Sequence, residues 1–161
     1  MHLDFTPEQK QLRSEIRASL EAVMTPECVA AVAGRIEGAD ARSTDSRSTA
    51  VKDCVRALGA ANLLGVGWPK EYGGRGFTAL EQFIFFEEAQ RVSAPIPLVT
   101  LNTVGPTLAS CGTDEQKQRF LPSILDGTVE FAIGYSEPSA GSDLASLRTT
   151  AVRDGDDFVI N

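Results

Sequence analysis

Histidine is almost missing from this sequence: His2 is the only one, at an end of the chain expected to be mobile. A Ser-His-Asp or Cys-His site needs a histidine held inside the fold, so neither is available. A His-based zinc site is excluded on the same ground, and no metal ligand set is expected. Cysteine is scarce as well. Cys28, Cys54 and Cys111 are odd in number, far apart and without a C-x-x-C pair, which reads as three reduced, cytosolic thiols. Positive charge is in short supply: 15 Lys and Arg stand against 22 Asp and Glu, a formal charge of −7, with a sequence pI near 4.7. No Lys/Arg run compensates locally, so nucleic acid is not an expected partner. Long apolar runs are absent too. Nothing reaches the roughly 18 residues a membrane span requires. Asp4, Glu8 and Gln9 come before any apolar stretch, unlike a signal peptide. The expected location is the cytoplasm.

What the chain does have is an ordinary globular composition, with 42% apolar and 23% charged residues over 161 positions. That length suits one domain, or one and a piece, and lets about 70% of the unfolded surface be buried.

The first two-thirds reads as helix. Thr6-Pro7-Glu8-Gln9, Thr78 with Glu81, and Thr113 with Gln116 are three capping boxes, each able to satisfy N–H groups left over at a helix start. Leu12, Ile16, Leu20 and Val23 follow the first box at helical spacing. Thr25-Pro26 opens a second helix bearing Val29, Val32 and Ile36, and Gly38 to Thr49 reads as an exposed loop. Val51, Val55 and Leu58 form a short helix that Gly59 is expected to stop. Leu63 to Trp68 is apolar but irregular, and Tyr72 to Gly76 must turn. The Thr78 helix carries Leu80, Phe83, Ile84 and Phe86, with Phe83, Ile84 and Phe86 taken as core. Leu98 to Ser110 is an apolar helix with Pro106 as a possible kink, and the Thr113 helix ends at Gly127. Beyond Gly127, Val129 to Tyr135 reads as a strand, and Asp154-Gly155-Asp156 as the turn of a hairpin.

One segment stands out chemically. In Tyr135-Ser136-Glu137-Pro138-Ser139-Ala140-Gly141-Ser142-Asp143 a strand ends at a Pro turn and leads into small residues whose backbone a ligand can approach. Exposed N–H groups and two hydroxyls there suit an anion or a heteroaromatic edge; the plainer reading is a polar loop. Glu87-Glu88 reads as a solvated helix face, because neighbours on a helix do not converge. Glu137 reads as a turn or salt-bridge residue, and Asp154 to Asp157 as a turn without calcium-loop spacing.

That segment resembles the acyl-CoA dehydrogenase signature. Phe5 to Gln9, Trp68 to Gly74, Gly112 to Lys117 and the Asp154 to Asn161 hairpin resemble the same family, in the same order. The wording of Ile133 to Ser136 and Asp143 to Thr149 is similar to actinobacterial members acting on steroid side-chain CoA esters. The resemblance implies a mainly α fold: a helical bundle domain of about six helices at residues 1–127, then the start of an antiparallel β domain at 128–161. It implies FAD as cofactor and oxidation of an acyl-CoA to its 2,3-enoyl form, a carboxylate taking the proton beside the thioester carbonyl while the β-carbon gives hydride to the flavin. Ile133, Gly134, Tyr135 and Ser136 would lie along the FAD, with the backbone of Tyr135 and Ser136 and the Ser136 hydroxyl meeting the isoalloxazine edge. Gly141 and Ser142 would approach the pyrophosphate, and Ser142 the thioester ligand as well. Ile133 stands where many members have an aromatic residue. No catalytic residue falls in this segment, since the family's glutamate lies in a later helical domain; the chain is short for the enzyme it resembles. The implied partners are an acyl-CoA, an electron-transfer flavoprotein as acceptor, and sister subunits of a homo- or hetero-tetramer. The competing reading is a non-catalytic partner subunit that lends flavin-site and packing surface to such an assembly. The small Ala94, Gly105 and Ala109 suggest room for a bulky acyl group.

Overall fold

The local start signals translate directly into helices. The computed structural model describes residues 4–36 and 49–161, and the side chains of these except residues 34–36. His2 and nearly all of the Gly38 to Thr49 loop lie outside the described residues. Thr6, Thr78 and Thr113 each accept a backbone N–H at the start of a helix, and Gln9, Glu81 and Gln116 reach back to the cap. The helices so opened are α1 (Pro7–Val23), α4 (Ala79–Arg91) and α6 (Asp114–Leu125); α2 (Pro26–Ile36), α3 (Thr49–Ala60) and α5 (Gly105–Cys111) complete the set. A two-stranded antiparallel sheet follows, β1 (Ala151–Asp154) against β2 (Asp157–Ile160), turning at Gly155 with φ +65°. This is the mainly α architecture, with a short antiparallel element at its end, that the residues implied.

The chain forms two compact units, Met1–Phe131 and Ala132–Asn161. In the first, α1 packs on α4, α2 on α3 and α5 on α6. Leu12, Ile16 and Leu20 of α1, Val55 and Leu58 of α3, and Ile84 and Phe85 of α4 meet Leu63, Leu64, Val66, Leu121 and Ile124 in one core. Among the described residues no helix is long and apolar enough to cross a membrane.

Several expectations are corrected. Gly59 does not end α3, which runs on to Ala60 before Asn62 turns at φ 55°. Its lack of a side chain serves packing: a Cβ there would lie 2.5 Å from the Asp126 backbone. The face of α2 that turns inward carries Cys28, while Val29 is half exposed. Cys28 and Cys54 are joined as a disulfide between α2 and α3, with Cα atoms 6.1 Å apart, and only Cys111 is free. Three separate thiols were expected because nothing in a spacing of 26 residues announces that two helices will lie side by side.

The apolar stretch from Leu98 begins with a π-helical turn, Thr100–Val104, before α5. Pro106 sits at the start of α5, directly after the π-helical turn. Gly105 is filled from outside: a Cβ there would collide with the Trp68 indole, and Ala94 and Ala109 pack against the same core. The room that Gly105 was taken to leave is occupied by the Trp68 side chain. Buried Thr100 gives its hydroxyl to Phe131, accepting the Phe131 N–H at 2.9 Å and donating to its carbonyl at 3.3 Å. Val129 to Tyr135 is not assigned as a strand. A strand is defined by its neighbour, and the strand pairing among the described residues is that of β1 with β2.

Candidate functional site

The segment singled out by sequence is built around one tight turn. Glu137 and Ala140 exchange backbone hydrogen bonds at 2.9 and 3.1 Å across Pro138-Ser139. Proline suits the second place of such a turn because its φ is already set. Before the turn, Ile133, Gly134, Tyr135 and Ser136 run exposed; after it, Gly141 and Ser142 are exposed too, and Ala140 between them is buried. No hydrogen bond among the described residues engages the amides of Tyr135, Ser136, Gly141 or Ser142. A Cβ added to Gly134 or Gly141 would meet no atom within 4 Å, so the backbone there is open to approach.

A short 3-10 turn, Leu144–Ser146, follows, with the Ser146 amide and hydroxyl both donating to the Asp143 carbonyl. The Glu137 carboxylate then reaches across the loop. It accepts the Arg148 N–H at 3.0 Å on each oxygen and the Thr149 N–H at 2.6 Å. Bonds from Thr149 and from the Arg148 amide hold this carboxyl below its ordinary value. Sequence reading gave Glu137 a turn or an ion pair. Its actual partners are the Arg148 and Thr149 amides and the Thr149 side chain, eleven and twelve residues on, which no local pattern announces.

The Glu87-Glu88 pair corrects a further expectation. Glu87 is half exposed and paired with Arg13, as a surface residue would be. Glu88 is buried, with a side chain 2% exposed, and its carboxylate gathers Arg17 at 2.9 and 3.0 Å, Arg91 at 3.2 Å and Arg13 at 3.6 Å. Hydrogen bonds from Arg17, with the charges of Arg91 and Arg13, hold its carboxyl below the usual range against the effect of burial. This node ties α4 to α1 and leaves no free base. Phe83, expected in the core, is 55% exposed, while Ile84 is buried and Phe86 partly so. With Leu80, Leu98 and Val99 it belongs to the apolar side chains that the helical unit leaves outside. A groove of about 690 Å³ lined by Gly59, Asn62, Tyr72, Asp114, Lys117 and Asp126 contains none of the residues singled out for chemistry. Among the described residues no cluster of His, Cys, Asp and Glu could hold a metal.

The comparisons with known proteins decide the family. Residues 6–128 match the family model described as acyl-CoA dehydrogenase, N-terminal domain. The chain belongs to the acyl-CoA dehydrogenase family. Acyl-CoA dehydrogenase FadE29 of Mycobacterium tuberculosis is 50% identical over the whole of this chain, which covers 39% of that relative. Among solved structures, the ChsE4-ChsE5 complex from Mycobacterium tuberculosis is 46% identical with a TM-score of 0.85; the match covers 100% of this chain and 39% of that one. The Tcur3481-Tcur3483 steroid ACAD is also 46% identical, with a TM-score of 0.81, over 99% of this chain and 39% of that one. The chain therefore spans about two-fifths of the acyl-CoA dehydrogenases it matches.

Proposed function

We propose that this chain supplies the helical wall and the flavin-contact segment of an enzyme that oxidises an acyl-CoA to its 2,3-enoyl thioester with FAD. One observation carries the reading: exposed backbone with unengaged amides lies on either side of the Glu137 to Ala140 turn, next to the exposed hydroxyl residues Ser136 and Ser142. Such a surface fits the hydrogen-bonding edge of a flavin and the oxygens of a pyrophosphate. The open space at Gly134 and Gly141 admits close approach. In this reading Ile133, Gly134, Tyr135 and Ser136 line the ring, Gly141 and Ser142 meet the pyrophosphate, and Ser142 also touches the thioester ligand. FAD, when bound, supplies the hydride acceptor. Residues 1–127 are the helical domain and 128–161 the beginning of the β domain.

The substrate is a steroid side-chain CoA ester, a choice supported by the steroid ACAD among the similar structures. As the family resemblance implies, the base is a glutamate of a later helical domain, and these 161 residues are inactive by themselves; Glu88 and Glu137 are committed to arginines and amides. An electron-transfer flavoprotein takes the electrons, and the assembly is a tetramer in the cytoplasm. The paired names ChsE4-ChsE5 and Tcur3481-Tcur3483 favour a second reading, a non-catalytic subunit that lends this segment to a site whose base lies on a sister chain.

The test is purification of the full-length protein with any natural partner subunit, followed by its absorption spectrum and turnover of short, long and steroid CoA esters. The expected result is a bound flavin band and preferential oxidation of the steroid ester. A preparation that carries no flavin and binds none when FAD is added refutes the proposal. If the isolated chain is silent and the complex is active, the partner-subunit reading holds.

A further inference from the structure

Glu137 lies in the middle of the segment just assigned to the flavin, yet its carboxylate is not part of the exposed amide surface. It is engaged instead across the loop. Both oxygens accept the Arg148 N–H at 3.0 Å, and one also accepts the Thr149 N–H at 2.6 Å. The main chain of the same residue is already engaged with Ala140 in both directions. One residue therefore makes two closures at once. The backbone closure fixes the angle between the stretch ending at Ser136 and the stretch beginning at Gly141. The carboxylate closure ties residues 137 and 149, so that the loop carrying Gly141 and Ser142 is shut at its neck just before β1 begins at Ala151.

The chemistry of the side chain matters here. Two adjacent amides aimed at one carboxylate form charge-assisted bonds, which are stronger and more directional than neutral ones. A main chain rich in Ser and Gly has little else to hold it, since glycine restricts its backbone weakly and both bury little. Bonds from Thr149 and the Arg148 amide favour the ionised form of this carboxyl, consistent with an anchor that stays charged.

We infer that Glu137 is a positioning residue for the flavin segment: by closing the 137–149 loop, it presets the spacing between the amides at Tyr135–Ser136 and those at Gly141–Ser142. The inference rests on the flavin reading and adds to it a specific device, a carboxylate that never touches the cofactor yet sets how well the backbone fits it. Preorganisation of this kind shows in affinity, because an unclosed loop must be ordered on binding.

The experiment uses the full-length protein with any natural partner subunit, stripped of flavin and titrated with FAD itself. Quenching of flavin fluorescence gives Kd, circular dichroism gives the unfolding midpoint of the apoprotein, and the visible band of the bound flavin reports its surroundings. Glu137→Ala is expected to weaken FAD binding about tenfold or more and to blur the fine structure of the bound band. Glu137→Gln keeps a carbonyl oxygen for the two amides and should fall between, at roughly threefold. Glu137→Gln also decides the matter should the alanine variant fail to fold. The inference is overturned if both folded variants bind FAD within about twofold of the wild type, or if Gln binds as weakly as Ala. Absence of FAD binding by the wild-type protein would instead remove the flavin reading beneath it.

Discussion

The two units of this chain are organised on opposite terms. Up to Phe131 the apolar side chains converge: Ile16, Leu20, Leu58, Ile84, Phe85, Leu121 and Ile124 are all fully buried. From Ala132 onward the same kinds of residue stay in the open. Val152, Phe158, Val159 and Ile160 are each about half exposed or more, and every position of β1 and β2 is exposed. The register makes the contrast sharper. Val152 pairs with Val159 on one face of the hairpin, while Ala151 pairs with Ile160 on the other, so both faces carry apolar side chains. A strand pair of that pattern is written for burial on two sides, and a two-stranded hairpin alone is marginal. The difference separates a region whose stability is internal from one whose sequence asks for cover.

The largest test of this contrast is Phe85→Ala. Removing a fully buried ring should cost the helical unit about 3–5 kcal/mol, read as a lower urea midpoint. An effect below about 1 kcal/mol would mean that the core does not hold the unit together.

A smaller effect is expected at the ionic node. Glu88→Gln removes the charge that gathers Arg13, Arg17 and Arg91 and should cost about 1–3 kcal/mol near neutral pH. The sign of its pH dependence follows from the lowered folded pKa. The wild-type contribution is complete above the ordinary carboxylate value and is lost as pH falls through the lowered one. Thermal melts between pH 7 and acid should therefore bring variant and wild type together as the pH drops; parallel curves would deny Glu88 this role.

The smallest effect belongs to the hairpin. Phe158→Ser should move the unfolding midpoint of the helical unit by less than about 0.5 kcal/mol. A shift of the size seen for a core residue would erase the distinction between the two regions.

What the sequence disclosed follows the same division. The three capping boxes were legible because each is complete within four residues, and the structure closes all three. The hairpin at Gly155 was legible for the same reason. Features that depend on distant partners were not. The Cys28–Cys54 bond needs α2 beside α3, and the burial of Glu88 needs α1 beside α4. The strand expected at Val129 to Tyr135 has the composition of a strand but lies outside the pairing of β1 with β2. For the candidate site, the resemblance drew attention to Ser136, Gly141 and Ser142, residues whose backbone proves open. The Glu137 carboxylate was read as a turn or salt-bridge residue, because its partners, the Arg148 and Thr149 amides and the Thr149 side chain, lie eleven and twelve residues away.

The bond between Thr100 and Phe131 has one more consequence. A single buried hydroxyl satisfies both main-chain groups of Phe131, doing for that residue what a neighbouring strand would do. In deuterated solvent its amide proton is therefore sheltered, whereas the amides of Tyr135 and Ser136, a few residues on, are open to exchange. The boundary between the two ways of being stable is thus written as a step in exchange rate along a few consecutive residues, and the threonine that sets it lies inside a helix.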